Sequence, residues 1–287
     1  MKILTTISDM QMLSRNAHAS GQRVGFVPTM GALHSGHLSL MHRARKHADV
    51  VVASIFVNPT QFAPNEDFDA YPRNLDHDRM LLEGAGVDAL FAPTASEMYP
   101  PGFCTDVAVG GITQKLEGRT RPTHFAGVTL VVTKLLLAAQ PDVAVFGRKD
   151  AQQALVIRRM VRDLNFGIEI DVAPTLRESD GLALSSRNAY LTPEMRKAAL
   201  ALSRGLRRSH DAWLDGETSA RNVVSLIDEE LHRETLLRID YVEVVSQDTL
   251  EPVEIIKPDT LVAAAVFAGD VRLIDNWWIT ADGTGEI

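Results

Sequence analysis

The chain has 287 residues, 45% apolar and 23% charged, with 29 Lys and Arg against 37 Asp and Glu. The resulting formal charge of −8 at pH 7 excludes the basic footprint of a nucleic-acid or anionic-membrane binder, so any anionic ligand has to be met by a local positive site. A single cysteine, Cys104, excludes an internal disulfide framework and a cysteine-rich zinc site.

At roughly 150 residues per domain the length predicts two domains. The chain opens Met1-Lys2-Ile3-Leu4 and turns polar by Thr5, without the apolar stretch of a signal peptide. Its longest apolar runs, 50–57 and 261–268, fall far short of the roughly 20 residues of a membrane helix, so a cytoplasmic protein is expected.

In chain order, 24–28 (VGFVP) predicts a buried strand. A glycine-containing turn then leads into a helix from about Gly36, with Leu38, Met41, Ala44 and Ala48 at three- and four-residue spacings. The run 50–57, apolar but for Ser54, predicts a strand covered on both faces. A helix over 75–83 ends at Gly84 and Gly86 before a strand over 87–91. Helices over 127–139 and 150–164 precede strands over 143–146 and 168–172. Alternating β and α elements of this kind predict a doubly wound parallel sheet, Rossmann-like, over residues 1–174. After Pro174 the order changes. Thr192-Pro193-Glu194 has the form of an N-cap, a first-turn proline and an acid, opening a helix that turns Met195, Ala199, Leu202 and Leu206 inward. A helix over 218–232 follows, then strands over 239–245, 261–267 and 271–279, which predicts a smaller α+β domain over 175–287.

The densest chemical signal is Pro28-Thr29-Met30-Gly31-Ala32-Leu33-His34-Ser35-Gly36-His37, between the first strand and the next helix. Ligands bind at such turns in parallel sheets, where the helix start offers unpaired N–H groups and positive dipole to a phosphate. His34 and His37, three residues apart, can turn both rings the same way and donate to oxygens that gain charge in phosphoryl or nucleotidyl transfer. The pair also fits half a zinc site, for which no third ligand stands at the usual spacing, or two ordinary surface or core histidines. The turn is not a G-x-G-x-x-G dinucleotide fingerprint.

A second cluster, Phe146-Gly147-Arg148-Lys149-Asp150, stands at a strand end, with Gln152 and Gln153 on the following helix, one expected toward the cleft and the other toward solvent. A third, Leu182-Ala183-Leu184-Ser185-Ser186-Arg187-Asn188, reads either as a polyphosphate clamp or as a polar loop with a structural ion pair. Gln61, in Asn58-Pro59-Thr60-Gln61-Phe62, is expected at the same sheet edge as His34. Arg119, Arg121 and His124 come just before a helix. Tyr71-Pro72-Arg73 with Asp76 and Asp78 reads as a turn and an acidic helix start in preference to a metal loop.

Six blocks in order, Thr29 to His37, Phe56 to Phe62, Asp69 to Arg73, Arg121 to Val128, Phe146 to Asp150 and Gly181 to Asn188, resemble the pantoate–β-alanine ligase (pantothenate synthetase) family over almost the whole chain. The H-x-G-H turn alone marks only the wider nucleotidyltransferase superfamily. The resemblance implies ATP-dependent condensation of (R)-pantoate with β-alanine through pantoyl adenylate, releasing pyrophosphate and then AMP. It implies an ATP site of Met30, Gly31, Ala32, Leu33, His34, Ser35, Gly36, His37, Gly147, Arg148, Lys149, Asp150, Leu176, Leu184, Ser185, Ser186 and Arg187. His34, His37 and Lys149 would be catalytic, with Lys149 and Arg187 supplying cations from opposite domains. Gln61 and Gln153 would hold pantoate, and Gln61 would also lie near β-alanine. Mg²⁺ would arrive with the ATP, held by phosphate oxygens and water with no protein ligand assigned, and the protein would be a homodimer. The chain departs from the family's pattern at Arg148, where an acid is usual, at Ala151, where a ring is usual, and at His77, beside Asp78, where an acid is usual. Arg148 is expected to add positive charge beside the nucleotide.

Overall fold

The computed structural model describes residues 1–62, 68, 69 and 71–287, with only the backbone of Glu286; Ala70 of the Asp69–Arg73 block lies outside the described residues. The chain divides into two compact units, one of residues 1–147 and 152–173, the other of residues 148–151 and 174–287. Lys149 and Arg187 thus both belong to the second unit, where the sequence led us to expect opposite domains. The backbone carbonyls of the Lys149 turn are taken by a side chain of the second unit's sheet.

The first unit contains β1 (Lys2–Leu4), α1 (Ile7–Ala19), β2 (Val24–Thr29), α2 (Ser35–Arg45), β3 (Val50–Ile55), α3 (Leu75–Gly84), β4 (Ala89–Phe91), α4 (Ala95–Met98), α5 (Glu117–Thr120), α6 (His124–Ala139), β5 (Val143–Gly147), all but the first residue of α7 (Ala151–Asp163), and β6 (Glu169–Ala173). Its strands form one parallel sheet in the order β1-β4-β3-β2-β5-β6. The order reverses between β2 and β5, the switch point at whose carboxyl edge doubly wound sheets bind ligands. Alternate positions Val27, Val51, Ala53, Leu90, Val143 and Val145 pack with Leu40, Met41 and Ala44 of α2 and Leu82 of α3. The intervening Phe26, Val52 and Ala144 are fully buried as well, which is why these strands read as continuous apolar runs. Gly25 is required at its place in β2, because a Cβ there would come within 2.9 Å of the Ala48 methyl.

β1 and α1 are not among the elements expected from the sequence. Thr6 caps α1 by accepting from the Asp9 amide, and Ser14 on its buried face donates to the Ala139 carbonyl at the end of α6.

The second unit contains α8 (Pro193–Leu214), α9 (Ala220–Leu231), β7 (Leu237–Ser246), β8 (Thr260–Ala268), β9 (Val271–Ile279) and β10 (Gly285–Glu286), an antiparallel sheet in the order β10-β9-β8-β7. The two-residue β10 adds to the three expected strands. Thr192 caps α8 as expected, accepting from the Met195 amide. Val262, Ala264, Val266 and Ala268, every second residue of β8, join Leu202 and Leu206 of α8, Val223 and Ile227 of α9 and Trp277 of β9 in one apolar core. The indole of Trp277 is fully buried and donates its N–H to Ser209 Oγ at 2.9 Å.

Candidate active site

The chain leaves β2 through a strained turn, with Gly31 at φ +85° and Ala32 at φ +51°. Thr29 Oγ1 donates to the Ser54 carbonyl at 2.7 Å and accepts from the Gly31 amide at 3.2 Å. The next two amides go to one carboxylate: Asp78 accepts from Ala32 N at 2.9 Å and from Leu33 N at 2.8 Å, one bond on each oxygen. Asp78 is 1% exposed, one turn into α3, and a Cβ on Gly31 would stand 2.9 Å from its Oδ2. Its carboxylate is the clamp of this turn. No local pattern marks it, since acids in the first turn of a helix are commonplace and its partners lie 45 residues away.

His34 caps α2. Its Nδ1 accepts from the Gly36 amide at 3.1 Å, and His37 Nδ1 accepts from the His34 amide at 3.3 Å, a reciprocal cap built from two imidazoles. The ring centroids are 4.1 Å apart and the planes inclined by 40°. An Nδ1 that accepts carries no proton, so both rings hold theirs on Nε2. The turn presents two N–H donors of one tautomer at the start of an eleven-residue helix, a site suited to an oxyanion.

Gln61 is brought to this turn, as expected: its Nε2 lies 3.0 Å from Met30 Sδ. Its backbone closes a 3₁₀ turn, Pro59–Gln61, capped by Asn58. Asn58 is the hub here, donating to Gly127 O and Gln61 Oε1 and accepting at 2.8 Å from the Tyr99 hydroxyl, whose pKa burial raises. His124 Nδ1 donates to the Gln61 carbonyl, with Arg121 Nη2 at 3.5 Å from the same oxygen, so these two residues support the glutamine's backbone. Gly127 permits the close approach of α6: a Cβ there would be 2.4 Å from Thr60 O and 2.6 Å from Gln61 N. Asn58 and Gly127 stand in two of the six blocks and Tyr99 in none, and their contacts join segments that no local pattern pairs.

Of the adjacent glutamines on α7, Gln152 is buried and structural, donating to the carbonyls of Ile112 and Lys115 and accepting from Glu117 N. It does not face solvent, as one of the pair was expected to. Gln153, on the same first turn, is half-buried and is left as the pantoate candidate.

In the second unit Lys149 Nζ lies 3.5 Å from Asp150 Oδ1. Arg148 corrects an expectation. It is 1% exposed, with its guanidinium over the Trp278 ring, so its charge is packed into the interior and not held out beside a nucleotide. The Leu176 carbonyl accepts from Leu184 N at 2.9 Å, and Ser185 Oγ caps the 3₁₀ turn Ser186–Tyr190 by accepting from Arg187 N. This loop is fastened from below: Asn188 Nδ2 donates to Glu178 Oε1 and to the Ala183 carbonyl, and Arg196 donates to Glu178 and Asp180. The bonds from Arg196, followed by that from Asn188, draw the Glu178 carboxyl below its ordinary pKa against the opposing effect of burial. Among the described residues no group of three His, Cys, Asp or Glu side chains converges as a metal site.

Comparison with known proteins agrees over the length of the chain. The pantoate-beta-alanine ligase family model matches residues 2–278. The pantothenate synthetase of Moorella thermoacetica is 55% identical over 276 residues, covering 96% of this chain and 98% of the relative. The crystal structure of pantothenate synthetase from Thermus thermophilus superposes with a TM-score of 0.91 at 47% identity, over 96% of this chain and 98% of that one. That of pantoate-beta-alanine ligase from Francisella tularensis, complexed with beta-gamma ATP and beta-alanine, gives 0.79 at 35% identity over 97% of both. With the clamped H-x-G-H turn at a sheet switch point, these matches show that the chain belongs to the pantoate–β-alanine ligase family.

Proposed function

We propose that the chain condenses (R)-pantoate with β-alanine, driven by ATP, in two steps. A pantoate carboxylate oxygen attacks the α-phosphorus, the bond to pyrophosphate breaks, and pantoyl adenylate forms. The β-alanine amine then attacks the acyl carbon, AMP leaves with the bonding pair, and the amine's surplus proton passes to solvent.

The observation that carries this reading is the pair of imidazoles at the start of α2, each with its Nδ1 taken by a backbone amide, with Gln61 against Met30 of the same turn. In this reading residues 30–37 and Gly147 line the nucleotide, with His34 and His37 donating to phosphate oxygens as negative charge shifts toward pyrophosphate. Lys149 neutralises phosphate and carboxylate, and Asp150 takes ribose hydroxyls. The backbone at Arg148, Leu176 and Leu184 faces the nucleotide, while Ser185, Ser186 and Arg187 take phosphate. Gln61 and Gln153 orient pantoate, and Gln61 also meets β-alanine. No side-chain nucleophile is needed, because the covalent intermediate forms on the substrate. Holding both reactants in line can remove about 7–11 kcal/mol of barrier, and each donor aimed at the developing charge about 3 kcal/mol more.

In the same reading Mg²⁺ arrives with the substrate, held on ATP phosphate oxygens and water. A homodimer in the cytoplasm completes the proposal, on the resemblance alone, and gel filtration tests the dimer. No helix among the described residues is long and apolar enough to cross a membrane.

The decisive assay is pyrophosphate release from ATP with pantoate present or omitted, followed by AMP and pantothenate formation on adding β-alanine. Release that needs pantoate but not β-alanine is expected; release indifferent to pantoate would overturn the reading.

A further inference from the structure

β9 carries two adjacent buried polar residues, Asp275 and Asn276, each 2% exposed. Opposite them on β8 stand Ala264 and Ala263, so neither is matched by a polar partner across the strands. Asn276 Nδ2 donates to two consecutive carbonyls, those of Arg148 at 3.0 Å and Lys149 at 2.9 Å. That pairing fixes the amide's orientation, since the opposite flip would set Oδ1 against two carbonyl oxygens. The choice leaves Asn276 Oδ1 buried without a hydrogen-bond partner, a penalty that a residue selected for packing alone would not carry. The backbone of Asn276 is itself held, its N–H donating to Asp275 Oδ1 at 2.8 Å. Asp275 is locked in turn by a forked pair of bonds from Arg177 at 2.6 and 3.1 Å. A rigid strand, a buried ion pair and one amide thus converge on the backbone from which the Lys149 side chain springs.

We propose that Asn276 is a positioning residue of the ligase reaction: by holding the Arg148 and Lys149 carbonyls it sets where the Lys149 ammonium stands. The proposal rests on the role given to Lys149 above. Asn276 itself touches no substrate. Its effect on turnover passes through Lys149, and a displacement of that ammonium of the order of 1 Å is enough for a large loss.

The test is a double-mutant cycle in the full-length enzyme, read by steady-state pyrophosphate release with ATP and pantoate varied. Asn276→Asp keeps the size and removes both donors, placing a carboxylate against two carbonyls. It is expected to lower kcat by about 10–100-fold, while in a Lys149→Ala background the same change lowers kcat less than about threefold, because the group it positions is gone. Asn276→Ser, able to donate one bond, is expected to fall between, and it replaces the Asp variant in the cycle if thermal melting shows that variant unfolded. An equal fold loss with and without Lys149 would overturn the proposal, as would wild-type kcat in a folded Asn276→Asp enzyme. Near-normal turnover of Lys149→Ala by itself would instead strike the role assigned to the lysine, so the two failures are told apart.

Discussion

Two imidazoles at a helix start serve an oxyanion only when their protons point away from the backbone, and the reciprocal Nδ1 cap between His34 and His37 enforces that tautomer on both rings. Replacing His37 by Ala removes a donor and uncaps the His34 amide. kcat for pyrophosphate release should fall about 10²–10³-fold, and Lys149→Ala should cost a similar factor; near-normal turnover of either variant refutes its assigned role. Asp78 governs the same turn without belonging to it. Asn at 78 offers one acceptor where two amides now bond, and turns its NH₂ toward the other N–H. Asp78→Asn should therefore lower kcat about 10–100-fold in an enzyme that still folds, as thermal melting would show. Unchanged kcat in a folded variant would mean that the turn holds its shape without the carboxylate.

The approach of α6 to the 3₁₀ turn at Pro59–Gln61 is possible only because residue 127 lacks a side chain. Ala is the better helix former by about 1 kcal/mol, so on propensity alone Gly127→Ala should stabilise the protein. A methyl 2.4 Å from Thr60 O must instead push the turn away, a strain of about 1–3 kcal/mol. The expected outcome is a KM for pantoate raised roughly tenfold to a hundredfold, measured with saturating ATP. An unchanged KM with a higher melting temperature would show that the turn yields freely. Elements whose signal is local were legible: β2 and β3 as apolar runs, and α8 from its Thr192 cap and Pro193. β1 and β10 were not, because three and two residues become strands only through the neighbour that pairs with them. α1 had a usable signal in Thr6 and Asp9, obscured by a polar residue, Ser14, on its buried face. The site followed the same division. His34, His37 and Gln61 stood in motifs, whereas Asp78, Gly127 and Asn276 act across 45, 66 and 127 residues of chain, and only the folded sheet brings them to their partners.

Over the molecule as a whole, a net charge of −8 makes mild acidification a test between two opposed effects. Proton uptake reduces self-repulsion and on that ground alone should stabilise the fold. His210 of α8 works the other way. Its ring sits among Trp213, Trp277 and the backbone of Gly285, with Arg148 near it, and burial lowers its pKa despite the opposing pull of Asp211. The unfolded chain takes up this proton near pH 6.5, the folded protein only at lower pH. The unfolded state therefore binds more protons as pH falls below 6.5, so stability is complete above that value and declines until the folded ring itself protonates. Glu178 acts in the same direction lower down. Its carboxyl, held below its ordinary pKa by Arg196, contributes stability above the unfolded carboxyl's pKa that is lost as acid reaches the folded one. Thermal midpoints taken from pH 8 to pH 3 should thus fall across the histidine range, and His210→Gln, which has no proton to gain, should flatten that fall while leaving the decline at lower pH in place. A wild-type midpoint that rises steadily on acidification to pH 5 would show that relief of charge repulsion outweighs the buried imidazole.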